Sequence, residues 1–144
     1  MKVTRNCIEY HGIADYIPCD VLAFNDCIVE NTNILKDKPK INYFTKCRAS
    51  LNVGNIEVLN LDDKYKVSVE GSLYARIEYV SSEYDNLICI EKKQIDFNID
   101  IDVLDRIDEN TEVIVNLFIE DIYLKKISQE EYFLSFSILG VVEE

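Results

Sequence analysis

The chain has 144 residues, of which 48% are hydrophobic, so it can bury about two-thirds of its unfolded surface in one core. Its 27 acidic and 15 basic residues give a formal net charge of −12, which opposes binding to nucleic acid and to anionic membrane surfaces. Four Gly, two Pro and no Trp, with frequent Val, Ile, Tyr and Phe, favour a folded β domain over a disordered chain.

The sequence contains no apolar run of the roughly 18 to 20 residues that a membrane helix needs. Its first residues, MKVTRNCIEYHG, lack the apolar segment of a secretory signal. We therefore expect a soluble protein that is synthesised in the cytoplasm without a signal peptide and has no membrane partner.

The first half of the chain has a weak pattern. Asp20 to Val29 fits a strand or a short helix, and the KDKPK stretch at Lys36 to Lys40 indicates a turn. The INYFTKCRASLNV segment that follows fits either a strand or a connecting loop.

The second half alternates between apolar and polar residues. From Lys66 to Val80 the odd positions are largely apolar, which predicts a long strand that bends or bulges at Gly71. Further strands are predicted at Leu87 to Glu91, Gln94 to Val103, Glu112 to Leu124 and Tyr132 to Val142.

Polar turns join these strands at Ser81 to Asn86, Arg106 to Asn110 and Lys125 to Glu131. Strands at hairpin spacing without an amphipathic helix between them are typical of antiparallel sheets. The sequence predicts one all-β domain over residues 1–144, a single antiparallel β-sandwich or open barrel with few or no helices.

Tests for chemistry identify no catalytic residue, no cofactor-binding residue and no metal ligand. The single histidine, His11, is interpreted as a surface residue, and the closest cysteines, Cys19 and Cys27, lack the paired spacing of zinc ligands. The alternating oxygens of Asp96, Asn98, Asp100 and Asp102 resemble an EF-hand loop. In a strand they would point the same way about 6.5 to 7 Å apart, as a solvated ladder that cannot surround one ion.

The chain has five cysteines, and this odd number leaves at least one without a partner inside the molecule. Without an export signal, reduced thiols packed as small hydrophobic groups are the simplest interpretation. Disulfides remain the alternative for a cytoplasmic product that later meets an oxidising exterior.

Several segments resemble, in order, the SPOCS domain family of anaerobic spore formers. The YKVSVEGSLYARIEYVSS stretch is similar to the most recognisable strand of the family, through Val69, Glu70, Gly71, Leu73, Ile77, Glu78, Tyr79 and Val80. The last part, VNLFIEDIYLKKISQEEYFLSFSILGVV, matches through Phe118, Ile119, Glu120 and Asp121. The sequence departs where the family has prolines, as at Asp96, and residues 1–21 have no counterpart.

The resemblance implies a protein of the spore coat, exosporium or surface appendage, without enzymatic activity or cofactor. Such a protein is synthesised in the mother-cell cytoplasm and deposited on the spore surface, with copies of itself and other coat proteins as partners. We expect a homo-oligomer or polymer assembled through β-strand contacts, with residues 1–21 as a docking segment.

Intersubunit disulfides are a further hypothesis, in which Cys7 pairs with Cys19 or Cys27 after mother-cell lysis. Two alternatives stay open at the sequence level. One is a monomeric adaptor for a coat morphogenetic protein. The other is a carbohydrate- or ligand-binding β-sandwich with a stacking platform of tyrosines such as Tyr74, Tyr79 and Tyr84.

Overall fold

The computed structural model describes residues 2–7, 21–85, 87–104 and 112–144, with the backbone alone for residues 2–7. This part of the chain forms seven β-strands and contains no helix. The strands are β1 Lys2–Cys7, β2 Val21–Ile34, β3 Ile41–Asn60, β4 Tyr65–Ser81, β5 Ile88–Val103, β6 Glu112–Lys126 and β7 Glu131–Glu143. The prediction of an all-β fold is confirmed.

Two sheets pack face to face and form the sandwich. One has four strands in the order β1-β6-β7-β2, and the other has three strands in the order β3-β4-β5. All neighbouring strands are antiparallel except β1, which pairs in parallel with β6 from Lys2 beside Glu112 to Cys7 beside Leu117. The antiparallel prediction therefore holds for every pair except this one.

The weakly patterned first half is also built of strands. Asp20 to Val29 falls largely within β2, so its strand interpretation is confirmed, and β2 continues to Ile34. The INYFTKCRASLNV segment opens β3, which runs for 20 residues. Residues 35–40 form the connection between them, where Asp37 has a φ of 55°.

The predicted strands Leu87 to Glu91 and Gln94 to Val103 are one continuous strand, β5, so their separation was wrong. The pairing of β5 with β4 has no register shift, because the two strands remain aligned from Val80 beside Ile88 to Tyr65 beside Val103. Continuous alternation places Ile88 and Ile90 on the outer face, where they are exposed.

The core lies between the sheets and is filled by the alternating apolar positions of β4 to β7. Its largest fully buried side chains include Tyr79, Leu73, Ile99, Leu117 and Phe136. The odd positions of β4 face inward as the sequence predicts. The two sheets therefore share one hydrophobic core, as a sandwich requires.

The irregularity predicted at Gly71 lies instead on the neighbouring strand. The register of β3 shifts between Val53 and Asn55, so that Gly54 is the extra residue opposite Gly71 and Glu70. Gly71 itself pairs in register with Phe97 of β5. A Cβ atom at Gly71 would lie 2.7 Å from the Phe97 ring and 2.7 Å from the backbone oxygen of Asn52, so the glycine leaves room for the ring.

Candidate assembly surfaces

Strand β1 occupies the edge of the four-stranded sheet, between β6 and the bulged edge of β3. It pairs with the first part of β6, up to Leu117. Beyond that region the seam between the two sheets is bridged by a side chain, because the Lys126 Nζ donates a hydrogen bond to the Asn42 carbonyl oxygen at 3.1 Å. Among the described residues, the six of β1 are the ones that pair with the outer edge of β6.

Polar side chains close the opposite seam, between the edge strands β2 and β5. The Asn25 side-chain amide donates to the Asp100 carbonyl oxygen at 2.7 Å. At the other end, the Lys38 Nζ donates to the Ile90 carbonyl oxygen at 3.0 Å and to the Glu91 Oε1 at 2.9 Å. These bonds occupy backbone acceptors of β5 that an incoming strand would need, and this protects that edge from strand addition.

The edge of β3 is irregular. Its pairing with β4 shifts register between Ile41 and Tyr43, between Phe44 and Lys46, and between Val53 and Asn55. Bulges twist an edge away from the flat geometry that strand pairing needs. Of the four edge strands, β1 is the one paired in parallel, and its six pairs with β6 show no register shift.

A cluster of buried polar groups lies beneath the loop of residues 35–40. The Tyr79 hydroxyl donates to the Pro39 carbonyl oxygen at 2.8 Å, and Glu91, only 8% exposed, pairs with Lys38. Burial, together with Cys89 and Glu91 nearby, raises the pKa of Tyr79. Burial also raises the pKa of Tyr132, whose hydroxyl has no hydrogen-bond partner among the described residues. Both phenols are therefore neutral, and the cluster fixes the loop against the core.

The candidate disulfide residues are distributed over both described and undescribed parts of the chain. Cys7 ends β1, Cys19 and His11 lie outside the described residues, and Cys27 is a half-buried free thiol packed against the core. Burial, with Asp26 nearby, raises the pKa of the Cys27 thiol, and burial raises that of Cys47. A protonated, partly buried thiol reacts slowly, which makes Cys27 a poor partner for an intersubunit bond.

The acidic ladder of β5 has the predicted arrangement. Asp96, Asp100 and Asp102 are exposed on the outer face and alternate with buried Phe97, Ile99 and Ile101. Two of the carboxylates have lysine partners, since Lys66 lies 3.3 Å from Asp100 and Lys64 lies 3.1 Å from Asp102. Within the described residues, no group of three His, Cys, Asp or Glu side chains is placed to hold a metal ion.

The three tyrosines of the predicted stacking platform do not share one surface, so that prediction is wrong. Tyr79 is fully buried between the sheets, whereas Tyr74 is 41% exposed on the outer face of the same strand. Residues an odd number of positions apart on a regular strand point to opposite faces. Tyr84 lies in the turn after β4 and is 58% exposed. The three rings therefore offer no common stacking surface.

The edge strand β2 exposes an apolar row on the outside of the four-stranded sheet. Phe24 is 71% exposed, Ile28 66% and Ile34 57%. Their spacing places all three on the face away from the core, where they alternate with Asp26 and Glu30. Such a row of exposed apolar groups on one strand is typical of a surface that contacts another protein.

Comparisons with known proteins assign no family to this chain. No protein-family model, curated protein or solved structure gives a significant match to it. The part of the chain that the structure describes has no helix that could cross a membrane.

Proposed function

We propose that this chain is a non-enzymatic structural protein of the bacterial spore envelope, which assembles with copies of itself through β-strand contacts. The observation that supports assembly is the position of β1, a six-residue strand at the edge of the sheet and the one strand paired in parallel. The assignment to the spore envelope, after synthesis in the mother cell, is supported by the resemblance to the SPOCS family.

In the proposed assembly, β1 of one copy pairs with β6 of the next. The same backbone hydrogen bonds form whether β1 comes from the same chain or from a neighbour, so exchange costs little enthalpy. Each bond contributes about 0.5 to 1.5 kcal/mol net, whereas ordering each residue costs about 1 to 2 kcal/mol. A strand of six residues is therefore held weakly enough to exchange.

The length of chain between β1 and β2 permits both arrangements. Thirteen residues, 8–20, join the two strands, and a chain of that length spans up to about 45 Å. The two strands lie at opposite edges of a four-stranded sheet, about 14 Å apart. Because Cys7 lies in the rung of Asn25, four residues past the start of β2, the linker must cross about 20 Å. A reach of about twice this distance leaves slack for β1 to pair with β6 of an adjacent molecule.

Backbone pairing suits a protein with a net charge of −12. Copies of such a chain repel each other over about 10 Å at 0.1 M salt, but the acceptors and donors of a strand edge are uncharged. Pairing through β1 is therefore a short-range contact that does not involve the acidic side chains. A tether of this kind holds its strand at an effective concentration on the order of millimolar, so exchange is favoured where the protein is densely packed.

The test is negative-stain electron microscopy of the full chain at increasing concentration, with and without reductant. We expect regular filaments or layers at high concentration. Loss of the filaments or layers in reductant would show that the cysteines take part. Their persistence would show that non-covalent contacts are sufficient. Uniform monomers under every condition would refute self-assembly and favour the adaptor.

A further inference from the structure

The outer face of the three-stranded sheet, formed by the side chains of β3, β4 and β5 that point away from the core, is divided by charge. At one end three cations lie side by side, because Arg48 pairs with Arg76 and Arg76 pairs with Lys92 in the strand register. Lys46 follows on the next rung, beside Glu78, whose Oε1 lies 2.9 Å from the Arg76 Nη1. We call this group of five residues the basic end.

The other half of the same face is acidic. Five exposed carboxylates lie there against the two lysines that pair with Asp100 and Asp102. A hydrogen bond from Ser68 and the nearby Lys66 lower the pKa of Asp100, which is therefore ionised at neutral pH. The carboxylates of this acidic end belong to Glu57, Glu70, Asp96, Asp100 and Asp102.

Three cations in one rung destabilise the sheet, since like charges directly opposite each other on neighbouring strands repel. The chain has 27 acidic residues with which to compensate them, yet Glu78 is the one carboxylate at the described basic end. Arg48, Arg76 and Lys92 are all exposed. Among the described residues, the four cations and one carboxylate of the basic end leave a net positive charge that can attract an acidic partner outside the sheet.

We infer that this face docks on the same face of a second copy, antiparallel to it, with each basic end against the acidic end of its partner. A twofold axis through the middle rungs, those of Ser72 and Tyr74, brings both pairs of ends together at once. The centres of the two ends are about eight residues apart on β4, or about 27 Å. A staggered contact would bring together one pair of ends only, so the charges favour the twofold pair.

The shape of the face is consistent with this contact. A shallow depression of about 430 Å³ lies at the basic end, bounded by Arg48, Tyr74 and Gln94. A second depression of about 510 Å³ lies at the acidic end, bounded by Glu70, Ser72 and Asp96. In the antiparallel pair each depression faces the opposite charge, and long side chains of one copy can enter the depression of the other.

The contact is of modest size. Three strands about 4.8 Å apart, over some 13 residues of length, give a face of about 600 Å² per copy. The total, about 1,200 Å², lies at the lower limit of specific protein interfaces. Because the attraction is electrostatic and the surface is exposed, the pair should form at low ionic strength and separate at high salt.

This inference rests on the proposed function in that it names one of the contacts of self-assembly, but it is tested separately from β1 exchange. The first variant, Arg48→Glu/Lys92→Glu, makes the whole face negative. The second, Glu57→Lys/Glu70→Lys, makes it largely positive. The control, Lys36→Glu/Lys125→Glu, changes the net charge as the first variant does, but at exposed positions outside this face.

The measurement is sedimentation equilibrium at micromolar concentration in 20 mM and 500 mM salt. We expect wild type and control to dimerise at low salt and to dissociate at high salt. Each face variant should dimerise at least tenfold more weakly, and an equimolar mixture of the two should recover a heterodimer. A heterodimer in the mixture would show that both variants are folded and that each had lost only its charge complementarity with itself.

Two results would overturn the inference. One is dimerisation of both face variants with wild-type affinity, which would leave β1 exchange untouched. The other is a monomeric mixture in which wild type, but not Arg48→Glu/Lys92→Glu, binds a sulfated polysaccharide such as heparin. The basic end would then take a soluble polyanion and not a second copy.

Discussion

The ring of Phe97 packs directly against Gly71 in the core. The ring, 6% exposed, lies directly across from the glycine and occupies the space that a side chain on Gly71 would need. Forcing extra volume into a packed core typically costs about 1 to 3 kcal/mol. A larger residue at Gly71 therefore has no room without displacing the Phe97 ring or the Asn52 backbone.

We predict that Gly71→Ala lowers the free energy of unfolding by about 1 to 3 kcal/mol. The matched control is Gly54→Ala, because among the described residues a Cβ atom there meets the Glu70 backbone oxygen at an ordinary contact distance of 3.5 Å. Urea unfolding followed by tyrosine fluorescence measures both. Equal stability of the two variants would contradict the packing described for Phe97.

The Lys38 side chain forms an ion pair with the carboxylate of Glu91, which is almost completely buried. Glu91 is 8% exposed, and Lys38 contacts both its carboxylate and the neighbouring Ile90 carbonyl. Removing the lysine leaves a buried carboxylate unpaired, which we expect to cost about 1 to 3 kcal/mol.

The prediction is tested with Lys38→Ala against Lys40→Ala in the same unfolding measurement. Lys40 lies 4.0 Å from Glu83 and 3.9 Å from Glu130, and all three side chains are exposed, so its removal should cost less than about 1 kcal/mol. If the Lys40 variant is the less stable of the two, Lys38 does not fix the loop.

The proposed assembly depends on the backbone hydrogen bonds of β1. Adjacent residues of a strand direct their N–H groups to opposite sides, and proline lacks this donor. One of the two variants Thr4→Pro and Arg5→Pro therefore removes a bond to β6, and the other removes a donor that points away from it.

We predict that one of these proline variants forms filaments or layers at least tenfold less readily than the other, with the folded core intact in both. Electron microscopy measures assembly, and the urea midpoint reports the core. Assembly by both variants at the wild-type concentration would exclude β1 as the connecting strand.

Much of the strand content follows from the sequence. The odd positions of β4 and the alternation from Gln94 to Val103 identify the buried faces, because a half-buried strand needs period two. Alternation does not show where a strand ends. The apolar residues Ile88 and Ile90 suggested a separate short strand, but the continuous register with β4 makes them part of β5 and places them on its outer face.

The seams between the sheets could not be predicted in this way. Asn25 and Lys38 act through backbone oxygens 75 and 52 residues away in the chain, and no local pattern encodes such a contact. Similarly, the parallel pairing of β1 with β6 depends on a sequence separation of about 110 residues. The rung of Arg48, Arg76 and Lys92 is invisible until the register of three strands is known.

For the whole molecule, charge and backbone pairing have complementary roles. The net charge of −12 keeps copies apart at long range, and two local features oppose it. In the proposed assembly, β1 supplies a strand that pairs with a neighbour. The divided outer face supplies an attraction that depends on salt.

Disulfide trapping tests whether β1 of one copy pairs with β6 of another. Thr4 and Ile114 are Cα partners in the β1–β6 register, and neighbouring strands lie about 4.8 Å apart, within disulfide range. The variant Thr4→Cys/Ile114→Cys is prepared with the five native cysteines replaced by alanine. The control, Lys2→Cys/Leu117→Cys, joins positions five residues out of register.

Each protein is oxidised over a range of concentrations up to millimolar and separated by non-reducing electrophoresis. We expect a cross-linked monomer at low concentration and a ladder of covalent multimers that grows with concentration, with neither product from the control. A cross-linked monomer alone at the highest concentration would show that β1 stays with its own chain and would contradict the proposed assembly.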